Sequence, residues 1–124
     1  MERKKEELDA IEKEATELNK RAMADISSNN AKTLLSKARD LIESNEHQLD
    51  QYKYALLLSV TLNNQACFYK KYFSFFLYSK GKYNAALTFL FRALGEAEKL
   101  DIPDEIEYAC TLLNICAILS FLKK

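Results

Sequence analysis

Helix-breaking residues are nearly absent from this chain. Its 124 residues include two glycines, Gly81 and Gly95, and one proline, Pro103. A protein built on strands uses these residues at its turns, and a chain of this length would need several of them. Alanine, leucine, lysine and glutamate are abundant instead, and they lose little side-chain freedom in a helix. The sequence therefore predicts an all-α fold, as a single domain over residues 1–124.

Apolar residues recur at intervals of three and four along five segments, as they do on one face of an amphipathic helix. Short polar breaks separate the segments, which favours antiparallel helical hairpins or a bundle. The five stripes are Leu8, Ile11, Ala15, Leu18, Ala22 and Ile26; Ala31, Leu34, Leu35, Ala38, Leu41 and Ile42; Tyr54, Leu58, Leu62 and Ala66; Tyr83, Ala86, Leu90, Ala93 and Leu94; and Ile106, Ala109, Leu112, Leu113, Cys116 and Leu119.

The breaks between the stripes predict where helices begin. Any residue of the polar run 27–30 can cap the second helix. Asn45 with Gln48 three residues later resembles a capping box, so the third helix is expected to begin there. Gly81 predicts a break before the fourth helix, whereas Gly95 is expected to weaken that helix by ~1 kcal/mol without ending it. The proline at 103 predicts the start of the fifth.

Charge and cysteine usage restrict the function classes. Eighteen basic and eighteen acidic residues cancel, so we expect no attraction to nucleic acid. The apolar run Tyr72–Tyr78 is far shorter than the roughly 20 residues of a membrane span. Cys67, Cys110 and Cys116 lie among apolar residues and are expected to be buried thiols in a reducing compartment. With no signal peptide expected at the start, the predicted location is the cytoplasm.

Catalytic chemistry lacks its usual residues in this sequence. His47 is the one histidine, and it belongs to no Ser-His-Asp arrangement or zinc-binding pattern. There is no glycine-rich phosphate loop, and the cysteines form no C-x-x-C pair. We therefore expect a protein that is not an enzyme and that holds no metal or cofactor.

An internal repeat adds to this interpretation. Residues 62–71 superpose without gaps on residues 112–121, which pairs Asn64 with Asn114, and the segment 81–94 lies between them. Together these segments resemble a tetratricopeptide repeat. In that repeat a first helix carries a small residue, a glycine-led turn follows, and the second helix presents Tyr, Ala and Ala-Leu. The offset of 50 residues falls to 42 when an eight-residue insert is subtracted. That period is similar to the longer repeat of kinesin light chains.

The resemblance covers residues 7–122 as about two and a half repeats. It implies helical hairpins stacked as a short superhelix that serves as a protein-interaction scaffold, with the cytoskeleton as one site of association. It also implies a groove along the first helix of each repeat that binds a peptide or a partner helix. The residues expected there are Asn63, Asn64, Lys70 and Asn114. The alternative is that the asparagines bond only to neighbouring helices or water.

A second candidate function is structural. The segment 72–80 exceeds the repeat pattern and is expected to lengthen the third helix, with its aromatic residues either exposed or covered by another helix. The fifth helix is apolar around nearly its whole circumference, which predicts a second face for a partner or another copy of the chain. The chain would then be an assembly subunit whose candidate interface residues are Tyr72, Phe73, Phe75, Phe76, Ile118 and Leu122.

Overall fold

Five helices make up the described part of the chain, which contains no strand. They are α1 (Glu2–Ala24), α2 (Asn29–Glu43), α3 (Gln51–Tyr72), α4 (Lys80–Glu98) and α5 (Glu105–Lys123). The computed structural model describes residues 2–26, 28–72, 80–99 and 105–123, with side chains over 4–26, 28–68, 84, 86–96, 98–99 and 108–119. The predicted all-α fold is confirmed. Of the segment 72–80, which was expected to lengthen the third helix, Tyr72 ends α3 and Lys80 begins α4, and residues 73–79 lie outside the described residues.

Successive helices alternate between two layers. Consecutive helices pack against each other as hairpins, and α1, α3 and α5 also lie side by side, with α3 in contact with all four other helices. We call α1, α3 and α5 the first-layer helices. In the second layer, α2 and α4 approach through side chains: the Arg39 guanidinium lies 5.6 Å from the centroid of the Phe89 ring, and Arg92 pairs with Glu43 at 3.1 Å.

The apolar stripes predicted for α1, α2 and α4 form the core. Small residues allow the helices to approach closely, since Ala15, Ala22, Ala38, Ala86 and Ala93 are completely buried. Among the described side chains the core consists of three clusters, and Phe68 of α3 joins the one formed by α1 and α2. Leu58 and Leu62 of α3 lie in a second cluster. Because α3 contributes to all three clusters, it is the central helix of the protein.

Helix starts follow local capping chemistry, though not always at the expected residue. Ser28 caps α2, because its hydroxyl oxygen accepts from the backbone N–H of Ala31 at 3.2 Å. The prediction that Asn45 begins the third helix is wrong. Its amide donates to the Leu41 carbonyl at 2.7 Å and so satisfies a carbonyl at the end of α2. The cap of α3 is Asp50, whose carboxylate accepts from the Tyr52 N–H at 2.9 Å.

The two glycines do not interrupt α4. The helix begins at Lys80 and contains Gly81 in its first turn, so the predicted break at that residue is wrong. As expected, the helix also continues through Gly95 to Glu98. At the other connection, Pro103 lies outside the described residues, and α5 begins two residues after it.

The fifth helix packs on a different face from the one its apolar stripe predicted. Thr111, Ile115 and Ile118 are buried. Ile118, which we expected on an outward interface, is 1% exposed and lies in a core cluster with residues of α3 and α4. The predicted stripe is open to solvent at Ala109, Leu112, Leu113, Cys116 and Leu119.

The cysteine prediction is correspondingly wrong for two of the three residues. Cys110 and Cys116 are exposed, Cys67 is half-buried, and all three are free thiols. The reason is that α5 is turned so that Cys116 occupies the open side of the helix, although its sequence neighbours are as apolar as those of Cys67.

Candidate functional site

Side-chain amides join α1 to α3. The Asn19 Nδ2 group donates to the Thr61 hydroxyl at 2.9 Å and also to the Ala15 carbonyl one turn earlier at 2.9 Å. In the opposite direction, Asn64 Nδ2 donates to Asn19 Oδ1 at 2.8 Å. We call Asn19, Thr61 and Asn64 the Asn19 triad. One asparagine of α1 is thus held by a threonine and an asparagine of α3.

The same pattern recurs between α3 and α5. Asn63 Nδ2 donates to the Thr111 hydroxyl, and Asn114 Nδ2 donates to Asn63 Oδ1 at 3.2 Å. We call Asn63, Thr111 and Asn114 the Asn63 triad. The Asn114 amide also lies 3.9 Å from the Cys67 sulfur. The two triads therefore form a ladder of hydrogen bonds that crosses all three first-layer helices.

Helical spacing explains why threonine and asparagine act together. Residues three apart lie on one face of a helix, about 5–6 Å apart between their Cβ atoms, so Thr61 with Asn64 and Thr111 with Asn114 can each hold one amide of the preceding helix. The Thr61 hydroxyl donates to the Leu57 carbonyl at 2.8 Å. That bond occupies its only proton and leaves an oxygen lone pair for the Asn19 amide.

Burial divides each triad into an inner and an outer part. Asn19, Thr61, Asn63 and Thr111 are buried, so leaving any of them without a partner would cost about 1–3 kcal/mol. Asn64 and Asn114 are half-buried. The inner members fix how the first-layer helices align, and the outer members lie where these helices meet solvent.

The outer asparagines each keep a carbonyl oxygen available. Their Nδ2 groups donate to the preceding helix, while neither Oδ1 bonds to another residue of the described chain. Each amide is thus held in position by one end and presents an acceptor at the other. The sequence predicted Asn64 and Asn114 as groove residues, and that role remains a prediction.

The other predicted site residues are distributed differently. Asn63 is 4% exposed and lies between α3 and α5. The side chains of Lys70, Tyr72, Phe73, Phe75, Phe76 and Leu122 lie outside the described residues. The residues that sequence reasoning missed are Asn19, Thr61 and Thr111. A signal for them existed in the repeated Thr-x-x-Asn spacing of α3 and α5, and in a polar residue between Leu18 and Ala22 of α1.

Half-buried apolar residues share the face of α3 that carries its outer asparagine. Leu56, Val60 and Cys67 are half-buried, and helical spacing places them on the same face as Asn64. About three turns earlier on this face, the Lys53 ammonium lies 3.0 Å from the Glu12 carboxylate of α1, and this bond raises the pKa of Lys53. The face therefore combines an apolar strip with a polar acceptor and a charged edge.

A small cavity between the start of α3 and the end of α4 offers no comparable chemistry. It measures about 230 Å³ and is lined in part by Glu46, Tyr54, Glu96 and Lys99. Burial, and then a hydrogen bond with Glu46, raise the pKa of Tyr54 to about 12, which keeps the phenol neutral. Glu96 already pairs with Lys99 at 3.1 Å, and Glu46 is exposed. The two carboxylates do not form a buried acid–base pair.

The described residues contain no group of three or more His, Cys, Asp or Glu side chains placed to hold a metal ion. None of the helices, as far as they are described, is long and apolar enough to cross a membrane.

Comparison of the chain with protein-family models, with curated proteins and with solved structures finds no match.

Proposed function

We propose that this protein is a non-enzymatic interaction scaffold that binds an extended peptide segment of a partner protein across α1, α3 and α5. The observation that carries the proposal is the pair of open Oδ1 atoms on Asn64 and Asn114, each belonging to an amide that its Nδ2 bond holds in place. The resemblance to tetratricopeptide repeats implies the same two positions. We also propose that its repeats are of the 42-residue type.

The amide geometry suits a peptide backbone. Neighbouring helices lie about 8–10 Å apart, and an extended chain advances about 3.3 Å per residue. Asn64 and Asn114 would therefore accept hydrogen bonds from backbone N–H groups about two or four residues apart, which point to the same side of an extended peptide that crosses α3 and α5. Because the amides are already positioned, binding costs less side-chain entropy than it would for free asparagines.

The surroundings supply the apolar part of the contact. Leu56 and Val60 of α3 are half-buried, so an apolar side chain of the peptide would complete their burial. On α5, Cys110 and Ala117 are exposed on the same face as Asn114. Backbone hydrogen bonds would give general affinity, and these apolar positions would select side chains.

The proposal places the protein in the cytoplasm. Its cysteines are free thiols, which fits a reducing compartment. An association with the cytoskeleton would follow if its partner is a cytoskeletal protein.

Peptides selected from a random displayed library against the intact chain would supply the probe for a binding test. We expect Asn64→Ala combined with Asn114→Ala to weaken the selected peptides roughly tenfold or more in titration calorimetry, because each lost hydrogen bond is worth about 0.5–1.5 kcal/mol. Helix content measured by circular dichroism should remain.

A matched control separates ligand contact from support of the fold. Thr61→Val with Thr111→Val removes the inner acceptors and keeps both outer asparagines, so it should lower the melting temperature while folded protein still binds the peptides. If the asparagine double variant binds as well as the unmodified chain, or if it loses its fold, the two amides are structural and the proposal fails.

A further inference from the structure

The outward side of α5 carries an apolar stripe with the spacing found in helix–helix contacts. Ala109, Leu112, Cys116 and Leu119 follow each other at intervals of four and three, as in the seam of a coiled coil. All four are exposed, Leu112 by 38% and Leu119 by 47%. We call these four residues the α5 seam. It lies away from Thr111, Ile115 and Ile118, which pack inside the protein.

The internal repeat relates the α5 seam to a face of α3 that is covered by another helix. At the 50-residue offset, Leu112 matches Leu62 and Cys116 matches Ala66. In α3 these positions are 0% and 2% exposed. Residues of α4 share their clusters, Ala93 with Leu62 and Ala86 with Ala66. The α5 seam is therefore the face that a packed helix covers on α3.

Composition restricts the helix that could cover the seam. Residues 108–122 include no Lys, Arg, Asp or Glu, so a partner helix with charges at the contact would bury them without compensation. The outward face of α1 is unsuitable, since Glu14, Glu17 and Arg21 are exposed there. Among the described helices, α5 itself presents the uncharged apolar face that the seam requires.

Two α5 helices complement each other when they run antiparallel. In the register that places Leu112 opposite Cys116 of the other copy, Ala109 lies opposite Leu119, so a large residue meets a small one at every step of the seam. The same register places position 105 opposite position 123. Those positions begin and end α5 and are occupied by Glu105 and Lys123, which carry opposite charges.

We propose that two copies of this chain associate through the α5 seam as an antiparallel, two-fold symmetric helix pair. Each contact then occurs twice, as it does in isologous dimers. The seam lies on a different side of α5 from Asn114, so the dimer goes beyond the peptide-binding proposal and either can hold without the other. A single helix pair is at the small end of protein interfaces, so the expected Kd is roughly 10–100 µM.

Sedimentation equilibrium of the full chain tests the dimer. The fitted mass should rise with concentration from the 14.3 kDa of one chain toward twice that value. Leu112→Glu should hold the mass at that of one chain, with its helical circular dichroism spectrum intact. The matched control is Phe91→Glu on α4, where the native side chain is 51% exposed, and this variant should associate as the unmodified chain does. A single-chain mass at all concentrations, or association that persists in Leu112→Glu, overturns the proposal.

Charge exchange tests the antiparallel register. Glu105→Lys and Lys123→Glu should each weaken association roughly tenfold, because each places like charges together at both ends of the helix pair. The double exchange should restore it. Both changes oppose the helix dipole, so the double variant has the least stable α5, and recovered association cannot reflect a more stable helix. Association that is unchanged in the single variants, or not restored in the double one, overturns the register.

Discussion

Buried asparagine is the residue type that most distinguishes this core. An amide in the middle of an apolar stripe is costly unless its donors and its acceptor are satisfied, and Asn19 meets that condition by donating to two oxygens and accepting from Asn64. A sliding or rotated α1 would break both bonds to α3 at once. The asparagines therefore select one alignment of the helices, which apolar packing alone would select less sharply.

Glu43 is a second residue whose partners come from different helices. Its carboxylate accepts from Arg39 at 2.6 Å and pairs with Arg92 of α4 at 3.1 Å. Partial burial by itself would raise the pKa of Glu43, but the hydrogen bond and charge of Arg39, together with Arg92, outweigh it and hold that pKa below the ordinary 4.5. The folded state thus favours the ionised carboxylate.

The pH dependence of stability follows from that shift. Because the folded pKa of Glu43 lies below the unfolded value, its stabilisation is present above pH 4.5 and is lost as pH falls through that value toward the folded pKa. We expect the melting temperature to fall over this range, and Glu43→Gln to reduce the pH-dependent part. Glu98→Gln, at an exposed carboxylate outside this network, serves as the control. Equal pH profiles for Glu43→Gln and the unmodified chain would contradict the assignment.

At the scale of the helix, the ends are set by single side chains that satisfy backbone groups. Ser28 and Asp50 accept from N–H groups at the starts of α2 and α3, and Asn45 donates to a carbonyl at the end of α2. Asparagine can act at either end because its side chain both accepts and donates. The sequence pattern at Asn45 therefore could not distinguish a start from an end.

Gly95 gives α4 a weak point that can be corrected. The residue lies within the helix, and its φ is not positive. A Cβ added there would meet no atom within 4 Å. Gly95→Ala should raise the free energy of unfolding by about 0.5–1 kcal/mol, because alanine has less conformational freedom to lose. Urea unfolding followed by circular dichroism measures the change. A lower midpoint would show that Gly95 is needed for a contact that the added methyl group blocks.

For the whole molecule, the central position of α3 makes the helix contacts interdependent. Ala66 of α3, Ala86 of α4 and Ile115 of α5 lie in one cluster. The small side chains of the two alanines therefore allow three helices to pack closely. Ala86 is completely buried, and a larger side chain there has no space without moving a neighbour.

Ala86→Leu should therefore destabilise the protein by about 1–3 kcal/mol through overpacking. Thermal unfolding measures the loss, and Ala24→Leu provides the matched control, because Ala24 is an exposed position of α1. Equal melting temperatures for the two variants would contradict the close α3–α4 contact.

Local chemistry was sufficient to predict much of this protein. The shortage of glycine and proline predicted an all-helical chain, and the spacing of apolar residues predicted the buried faces of α1, α2 and α4. Helical periodicity is informative in these segments because the opposite face is mostly polar. The repeat also singled out Asn64 and Asn114, which lie where the hydrogen-bond ladder meets solvent.

Only the tertiary structure decided which face of α5 is internal. Apolar residues surround that helix, so its periodicity indicates no preferred side, and the contacts of Ile115 and Ile118 with α3 and α4 residues make the choice. That choice exposes Cys116 and the rest of the α5 seam. The triads were equally inaccessible to local reasoning, because Asn19 and Thr61 are 42 residues apart and meet only when α1 packs on α3. Sequence spacing reports the neighbours of a residue within its own helix, whereas these bonds depend on how separate helices align.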